Sequence, residues 1–403
     1  MRASVLDSRA AWTRLAITLA AACVANAGMW AIIVILPDVQ AEFGTGRAEA
    51  SLPYTLTMIG FALGNFLIGQ AVDRFGVALS LVAAAIGVAA GFGLAMISTS
   101  ILALSAAQLL IGLCSAVGFG PLIADISHWF LRRRGVAVAL VASGNYLSGA
   151  IWSYALAGLL TEAGWRGVYG FLAIVTLAVV IPLALLLRRS VPDGDKDIAQ
   201  SQVDARAGSV GIRPPVLAAL LGLAGVGCCV AMSMPQVHII AYCVDLGYGP
   251  AAGAEMLSLM LLGGVVSRLI SGLLADQVGG VWTLLIGSTL QMLALFLYLP
   301  SDGLIALYII STVFGLSQGG IVPSYAVIVR EYMPAREAGR WVGLVMMATI
   351  MGMALGGWLS AVIYDVTGSY QLAFWNGIAW NALNIGIMLW LLRRARGQRA
   401  AIA

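Results

Sequence analysis

Read for hydrophobic and polar positions alone, the chain is a succession of long apolar runs separated by short polar breaks. At 1.5 Å per residue, a run of about 20 residues crosses ~30 Å of hydrocarbon as a helix. Twelve such spans are predicted, near residues 13–36, 52–71, 78–98, 101–124, 135–160, 166–187, 214–243, 253–274, 281–300, 304–329, 340–363 and 371–392. The breaks are short, with one exception. Residues 188–213, RRSVPDGDKDIAQSQVDARAGSVGIR, are polar and rich in Asp, Gly and Ser, and they read as a flexible linker. The linker divides an N-terminal bundle, 1–187, from a C-terminal bundle, 214–403, each of six spans. The pattern predicts an all-α membrane protein with twelve transmembrane helices.

Composition excludes a soluble core. Of the 403 residues, 61% are hydrophobic and only 10% charged, with a mean hydropathy of +0.96; a soluble domain carries about 25% charged residues. The net charge of +4 does not point to nucleic acid, because the cations sit beside membrane spans. Their distribution sets the orientation instead. With a cytoplasmic N-terminus, 19 of the 22 cations fall on the cytoplasmic side, and only Arg47 and Arg166 fall outside. Both termini and the linker are therefore expected in the cytoplasm, with the chain in a bacterial-type plasma (inner) membrane. Arg2, Arg9 and Arg14 precede a run too long for a signal peptide, which reads as the first span. The five cysteines lie in or beside apolar runs without metal-ligand spacing, as small buried hydrophobes do. There is no phosphate-binding loop, no His/Cys cluster and no G-x-S-x-G. Neither an enzyme nor a cofactor is expected.

The remaining cation, Arg268, sits inside MLLGGVVSRLISGLLADQVGG, residues 260–280. A charge in mid-bilayer costs roughly 2.5–3.5 kcal/mol on insertion scales, which makes such a residue a functional-site hypothesis. A guanidinium matches a carboxylate bidentately and stays charged. No acidic residue lies in the middle of any span; Asp125, Asp245 and Glu255 sit near ends. A bound anion is one source of the opposite charge, and helix carbonyls or a distant loop carboxylate are the structural alternative. His238 follows Pro235 in the seventh span, where the proline should break or kink the helix. It reads equally as a proton-coupling group and as a hydrogen-bonded residue near the outer interface; Asp245 is the other proton candidate. Asn26, Asn145, Tyr146, Tyr154, Gln318, Tyr325, Asn376 and Asn381 are mid-span polar residues. Of these, Asn26, Asn145, Tyr146 and Tyr325 are the secondary substrate-binding candidates.

The two halves repeat. Gly69-Gln-Ala-Val-Asp73-Arg74-Phe-Gly76 follows the second span, and Gly272-Leu-Leu-Ala-Asp276-Gln277-Val-Gly279 follows the eighth. G-x-x-x-D-R-x-G at this place resembles the signature of the major facilitator superfamily, whose fold is two pseudo-symmetric six-helix bundles with the substrate held between parallel repeats. The resemblance covers the whole chain and includes Gly164-Trp165-Arg166. It implies a gating role for Asp73, Arg74 and Asp276; a well-capped turn is the plainer alternative.

Within the superfamily the sequence resembles the monocarboxylate porters and their oxalate–formate relatives. The stretch from Trp129 to Gly144 is similar to that branch's Y-F-x-K-R-R-x-L-A-x-G-x-A-x-A-G, and Asn26 to Ala31 loosely matches its D-G-G-W-G-W. Arg268 stands where these porters bind the substrate carboxylate, while Gly264 stands where an acidic residue is often found. The resemblance implies a secondary transporter of small organic anions, with a small carboxylate and protons as partners in the lipid bilayer, working as a monomer. Proton-coupled symport of monocarboxylates is the leading expectation. Anion exchange, efflux of drug-like compounds and an anion sensor are the alternatives.

Overall fold

A computed structural model of the chain describes residues 6–130, 133–188, 212–333 and 335–402. Most of the 188–213 linker lies outside the described residues. Those described are helical almost throughout, with no strand among them.

Each helix is an apolar run, and glycine or proline marks most of its ends. The first crossing is α1 (Arg9–Ala25) and α2 (Ala27–Phe43), broken at Asn26. Next come α3 (Arg47–Ala50) leading into α4 (Leu52–Phe75), then α5 (Val77–Met96). α6 (Ile101–Ser115) and α7 (Gly120–Ser127) form the fourth crossing, joined through a 3-10 turn at Ala116–Gly118. α8 (Arg134–Val175) covers two crossings, because Gly164 adopts φ 65° and ψ 174°, a reversal that an L side chain resists. The sixth crossing ends in α9 (Ile181–Leu186). The C-terminal crossings are α10 (Pro214–Asp245), α11 (Gly249–Val278), α12 (Gly280–Tyr298), α13 (Leu304–Gln318) with α14 (Ile321–Tyr332), α15 (Ala335–Thr367) and α16 (Gln371–Ile402). Twelve crossings result among the described residues. Of the break or kink expected at Pro235, the break is absent: α10 runs on through that residue. In hydrocarbon, neighbouring helices keep a proline-bearing helix intact by supplying partners for its freed backbone groups.

By contacts the chain forms two compact units. The first is Met1–Gln200 with His238–Leu262, and the second is Ser201–Val237 with Gly263–Ala403. This grouping differs from a cut at the linker, since the stretch 238–262 joins the first unit. Two contacts within that unit account for it. Arg47 holds Asp245 bidentately, at 2.6 and 3.1 Å, and a Cβ on Gly149 would collide with both Leu261 and Trp30.

The first unit closes on glycine. Gly60 and Gly64 let α4 approach the carbonyls of Leu109 and Leu113 on α6, and Gly112 on α6 faces the Thr57 carbonyl. A Cβ at Gly64 or Gly112 would sit 2.0 Å from the facing oxygen. Small residues drive such packing where lipid removes the hydrophobic incentive. The second unit repeats the device between α11 and the α13–α14 break, with Gly263, Gly319 and Gly320 at the contact. The internal repeat is visible in the backbone as well. Gly76 has φ 80° and ψ 163°, and Gly279 has φ 85° and ψ 165°.

The ends of α1, α7 and α9 are tied by a buried ion pair. Arg14, 6% exposed, contacts Asp125 at 2.8 Å and donates to the Leu187 carbonyl at 3.1 Å. Its guanidinium lies 4.5 Å from the Trp129 ring centroid. Removing one member of such a pair strands the other, at a cost of about 3–5 kcal/mol. Asp125→Ala should therefore lower the thermal midpoint of the detergent-purified protein clearly more than Asp276→Ala at an exposed position. Equal midpoints for the two variants would show that the Arg14 clamp contributes nothing.

Candidate functional site

The cation singled out from the sequence lies in the second unit. Arg268 is on α11 and only 5% exposed, and its Nε donates to the carbonyl of Gly319 at 3.0 Å. Local sequence explains why that carbonyl is available. The helical donor for Gly319 would be the N–H of residue 323, and residue 323 is a proline, which has none. The crossing breaks here, between the end of α13 at Gln318 and the start of α14 at Ile321. Close approach is possible because residue 319 lacks a side chain. A Cβ there would lie 2.0 Å from the Gly264 carbonyl and 2.8 Å from the Arg268 amide nitrogen. Gly264 thus serves backbone contact at the position where the resemblance suggested an acid.

Beside this break sits a buried amide pair. Gln236 Nε2 on α10 donates to Gln318 Oε1 at 2.8 Å, and both residues are fully buried. The outward atoms of the pair, Gln236 Oε1 and Gln318 Nε2, have no hydrogen-bond partner among the described residues. Gln318 was noted from sequence as a polar mid-span residue, but Gln236 was not. Its signal was present: an amide one residue past Pro235 in an apolar helix.

Tyr325 belongs to a different cluster. Its hydroxyl donates to Asn384 Oδ1 at 2.8 Å, and Asn384 Nδ2 in turn donates to Ser288 Oγ at 2.8 Å. Asn381 Nδ2 donates to the Ser288 carbonyl. This network ties α12, α14 and α16 inside the packed core of the second unit. Neither Asn384 nor Ser288 was picked out from the sequence.

The remaining candidates lie in the first unit. Asn26, fully buried at the α1–α2 break, donates to the carbonyls of Ala22 at 2.8 Å and Gly118 at 3.1 Å. Gly118 ends the 3-10 turn of the fourth crossing, so a side chain again catches a carbonyl at a helix break. Trp30 Nε1 donates to Asn145, at 3.0 Å to the carbonyl and 3.2 Å to Oδ1. Tyr146, next along α8, is buried, whereas Tyr154 is 66% exposed and leaves the buried polar set. His238 is fully buried. Asp245 is engaged by Arg47, whose Nε also donates to Gln40. Of the turn residues, Arg74 and Asp276 are exposed, and the side chain of Asp73 lies outside the described residues. In the second turn the Gly280 amide donates to Glu331 at 2.9 Å, a cap that the repeat pattern did not reveal.

Comparison with known proteins fixes the family. The family model described as Major Facilitator Superfamily matches residues 18–264 and 239–403. The chain belongs to the major facilitator superfamily. It is an integral membrane transporter of the non-enzymatic kind. Among its relatives, monocarboxylate transporter 13 of Bos taurus is 30% identical over 328 residues, covering 79% of this chain and 75% of that protein. Monocarboxylate transporter 11 of Mus musculus is 31% identical over 284 residues, covering 66% and 61%. An uncharacterized MFS-type transporter of Bacillus subtilis, YcxA, is 24% identical over 359 residues, covering 84% of each. Among solved structures, a bacterial homolog of the human lysosomal transporter Spinster superposes with a TM-score of 0.69 at 14% identity, covering 96% of this chain and 95% of that one. The similarity to the monocarboxylate branch read from the motifs agrees with these relatives.

The amide pair yields a test of the site's construction. Gln318→Leu leaves the Gln236 amide buried without its acceptor, which should cost about 1–3 kcal/mol. The Gln236→Leu/Gln318→Leu double variant removes both polar groups and should recover most of that loss. A double variant as unstable as the two single losses added together would mean that the amides do not act as a pair.

Proposed function

We propose that this transporter moves small organic anions, monocarboxylates in the first place, and that Arg268 holds the carboxylate. One observation carries the reading: a guanidinium buried in the middle of a membrane span, in a chain whose relatives include named monocarboxylate transporters. A carbonyl partner such as Gly319 orients the group without cancelling its charge. No carboxylate stands within two helical turns of Arg268 on α11. A carboxylate that binds and leaves matches the guanidinium fork in a form compatible with turnover. The buried amides of Gln236 and Gln318 offer a donor and an acceptor next to the Arg268–Gly319 contact. Asn26, Asn145 and Tyr146 are the supporting candidates of the first unit, while the Asn384 contact favours a packing role for Tyr325.

Proton symport is the mode we favour, with His238 as the proton carrier. Imidazole as a group ordinarily exchanges its proton near neutrality, and Asp245, the other candidate, is held by Arg47. Anion exchange is the second reading, because Gly264 removes the acid that would couple to the arginine. The bundles 1–187 and 214–403 are the bodies we assign to alternating access, with Asp73, Arg74 and Asp276 at the turns that latch them. We place both termini in the cytoplasm of a bacterial-type plasma membrane, on the distribution of arginines, and take the working unit as a monomer.

In proteoliposomes, Arg268→Ala should abolish carboxylate uptake while the protein still purifies as a monodisperse species, and Arg268→Lys should recover little, because ammonium lacks the bidentate fork. Wild-type uptake by Arg268→Ala would sink the assignment. His238→Gln should remove the stimulation of uptake by an inward proton gradient yet spare counterflow between carboxylates. Counterflow with no response of the wild type to a pH gradient would instead establish exchange.

A further inference from the structure

The second unit carries a shallow apolar groove of about 330 Å³, lined by Leu220 of α10 and by Leu383, Gly386, Ile387 and Trp390 of α16. The α16 residues share one helical face by their spacing of three and four. Gly386 is exposed, and a Cβ built on it would meet no atom within 4 Å, so the groove has open space at that point. Charge stands at one end of the groove. Arg394 follows Trp390 by one turn, and its guanidinium lies 5.6 Å from the Trp390 ring centroid. Arg213 precedes Leu220 by seven residues, on the same face of the chain entering α10.

The register of the two antiparallel helices puts these arginines at the same level. A Cβ on Gly227 would lie 2.7 Å from the Trp380 carbonyl and 3.7 Å from the Asn384 Cβ, so residue 227 stands level with 380–384. Seven residues toward the charged end on each helix bring Leu220 level with the Ile387–Trp390 stretch. Seven more bring Arg213 level with Arg394 and its successors. Both arginines are exposed. The sequence around them is entirely cationic: residues 205–244 and 371–403 hold Arg206, Arg213, Arg393, Arg394, Arg396 and Arg399 and no acidic residue.

We propose that this groove is a binding site for an anionic phospholipid, with one acyl chain against Leu220, Gly386 and Ile387 and the phosphate between Arg213 and Arg394. Inside a bilayer an acyl chain gains little from leaving other lipid for an apolar groove. Selectivity must therefore come from the headgroup charge, and the groove fixes where that charge sits. Arginines at a membrane surface attract anionic lipid by roughly fivefold each, or about thirtyfold for the pair.

Native mass spectrometry of the delipidated full chain, titrated with phosphatidylglycerol and with phosphatidylethanolamine of identical chains, reads this directly. The first phosphatidylglycerol should bind about thirtyfold more tightly than phosphatidylethanolamine. Arg213→Gln/Arg394→Gln should erase that preference. Gly386→Leu, which fills the groove and leaves every arginine in place, should weaken the first phosphatidylglycerol without touching later, weaker ones. Unchanged binding in the arginine double variant would overturn the proposal. Unchanged binding in Gly386→Leu would overturn it too, by showing attraction to a basic surface with no seat for the chain. Competition by soluble glycerophosphate at equal concentration would assign the site to a free phosphate and likewise refute a lipid.

Discussion

In hydrocarbon, a backbone carbonyl that loses its helical donor must find another, since leaving it bare costs several kcal/mol. Much of this molecule's interior follows from that constraint. Pro323 deprives Gly319 of its donor, and Arg268 fills the place. In the fourth crossing, the break after Ser115 leaves the Gly118 carbonyl to Asn26. The two breaks fall in corresponding spans of the two halves, and each is met by a side chain from another crossing. A polar side chain in mid-span is thus anchored by backbone geometry before any substrate is considered.

The anchoring is possible only because the helices meet closely, and the closeness is bought with glycine. Gly60, Gly64 and Gly112 bring α4 and α6 into backbone contact, while Gly263, Gly319 and Gly320 do the same for α11 and the α13–α14 break. The second seam lies directly beside Arg268. A methyl group at residue 319 would collide with the Gly264 carbonyl and with the backbone of Arg268 itself, so the position of the cation and the packing of the helices are a single arrangement. Loss of function on altering these glycines would report on geometry rather than on chemistry.

The sequence disclosed the architecture because membrane spans are defined by length and hydropathy, both of which are local. The twelve crossings, the paired turns at Gly76 and Gly279 and the buried cation at Arg268 are all of this kind. What it hid were partnerships between distant residues. The chain from Tyr325 through Asn384 to Ser288 is one of them. Asp245 was legible as an acid near a span end, but its partner Arg47 lies 198 positions away in sequence and 2.6 Å away in space. Pro235 admitted either a break or a kink, and α10 continues through it without a break. The link between Pro323 and Arg268 was partly legible: a proline four residues after a glycine announces an orphan carbonyl, though not which donor answers it.

Gly264 brings these strands together. In the branch that the motifs resemble, an acid is often found one turn before the arginine, where it would balance the charge internally. Here the position is a glycine whose carbonyl packs against Gly319, and α11 offers Arg268 no carboxylate between residues 261 and 275. An arginine balanced by a fixed neighbour on its own helix is neutral at rest, and an anion must displace that neighbour to bind. Without such a neighbour, the anion meets no competitor from α11. Gly264 is therefore the residue that keeps anion exchange as the second reading beside the symport proposed above. Under that symport, His238 would have to release its proton before the empty return, because an imidazolium adds a second buried cation to that of Arg268.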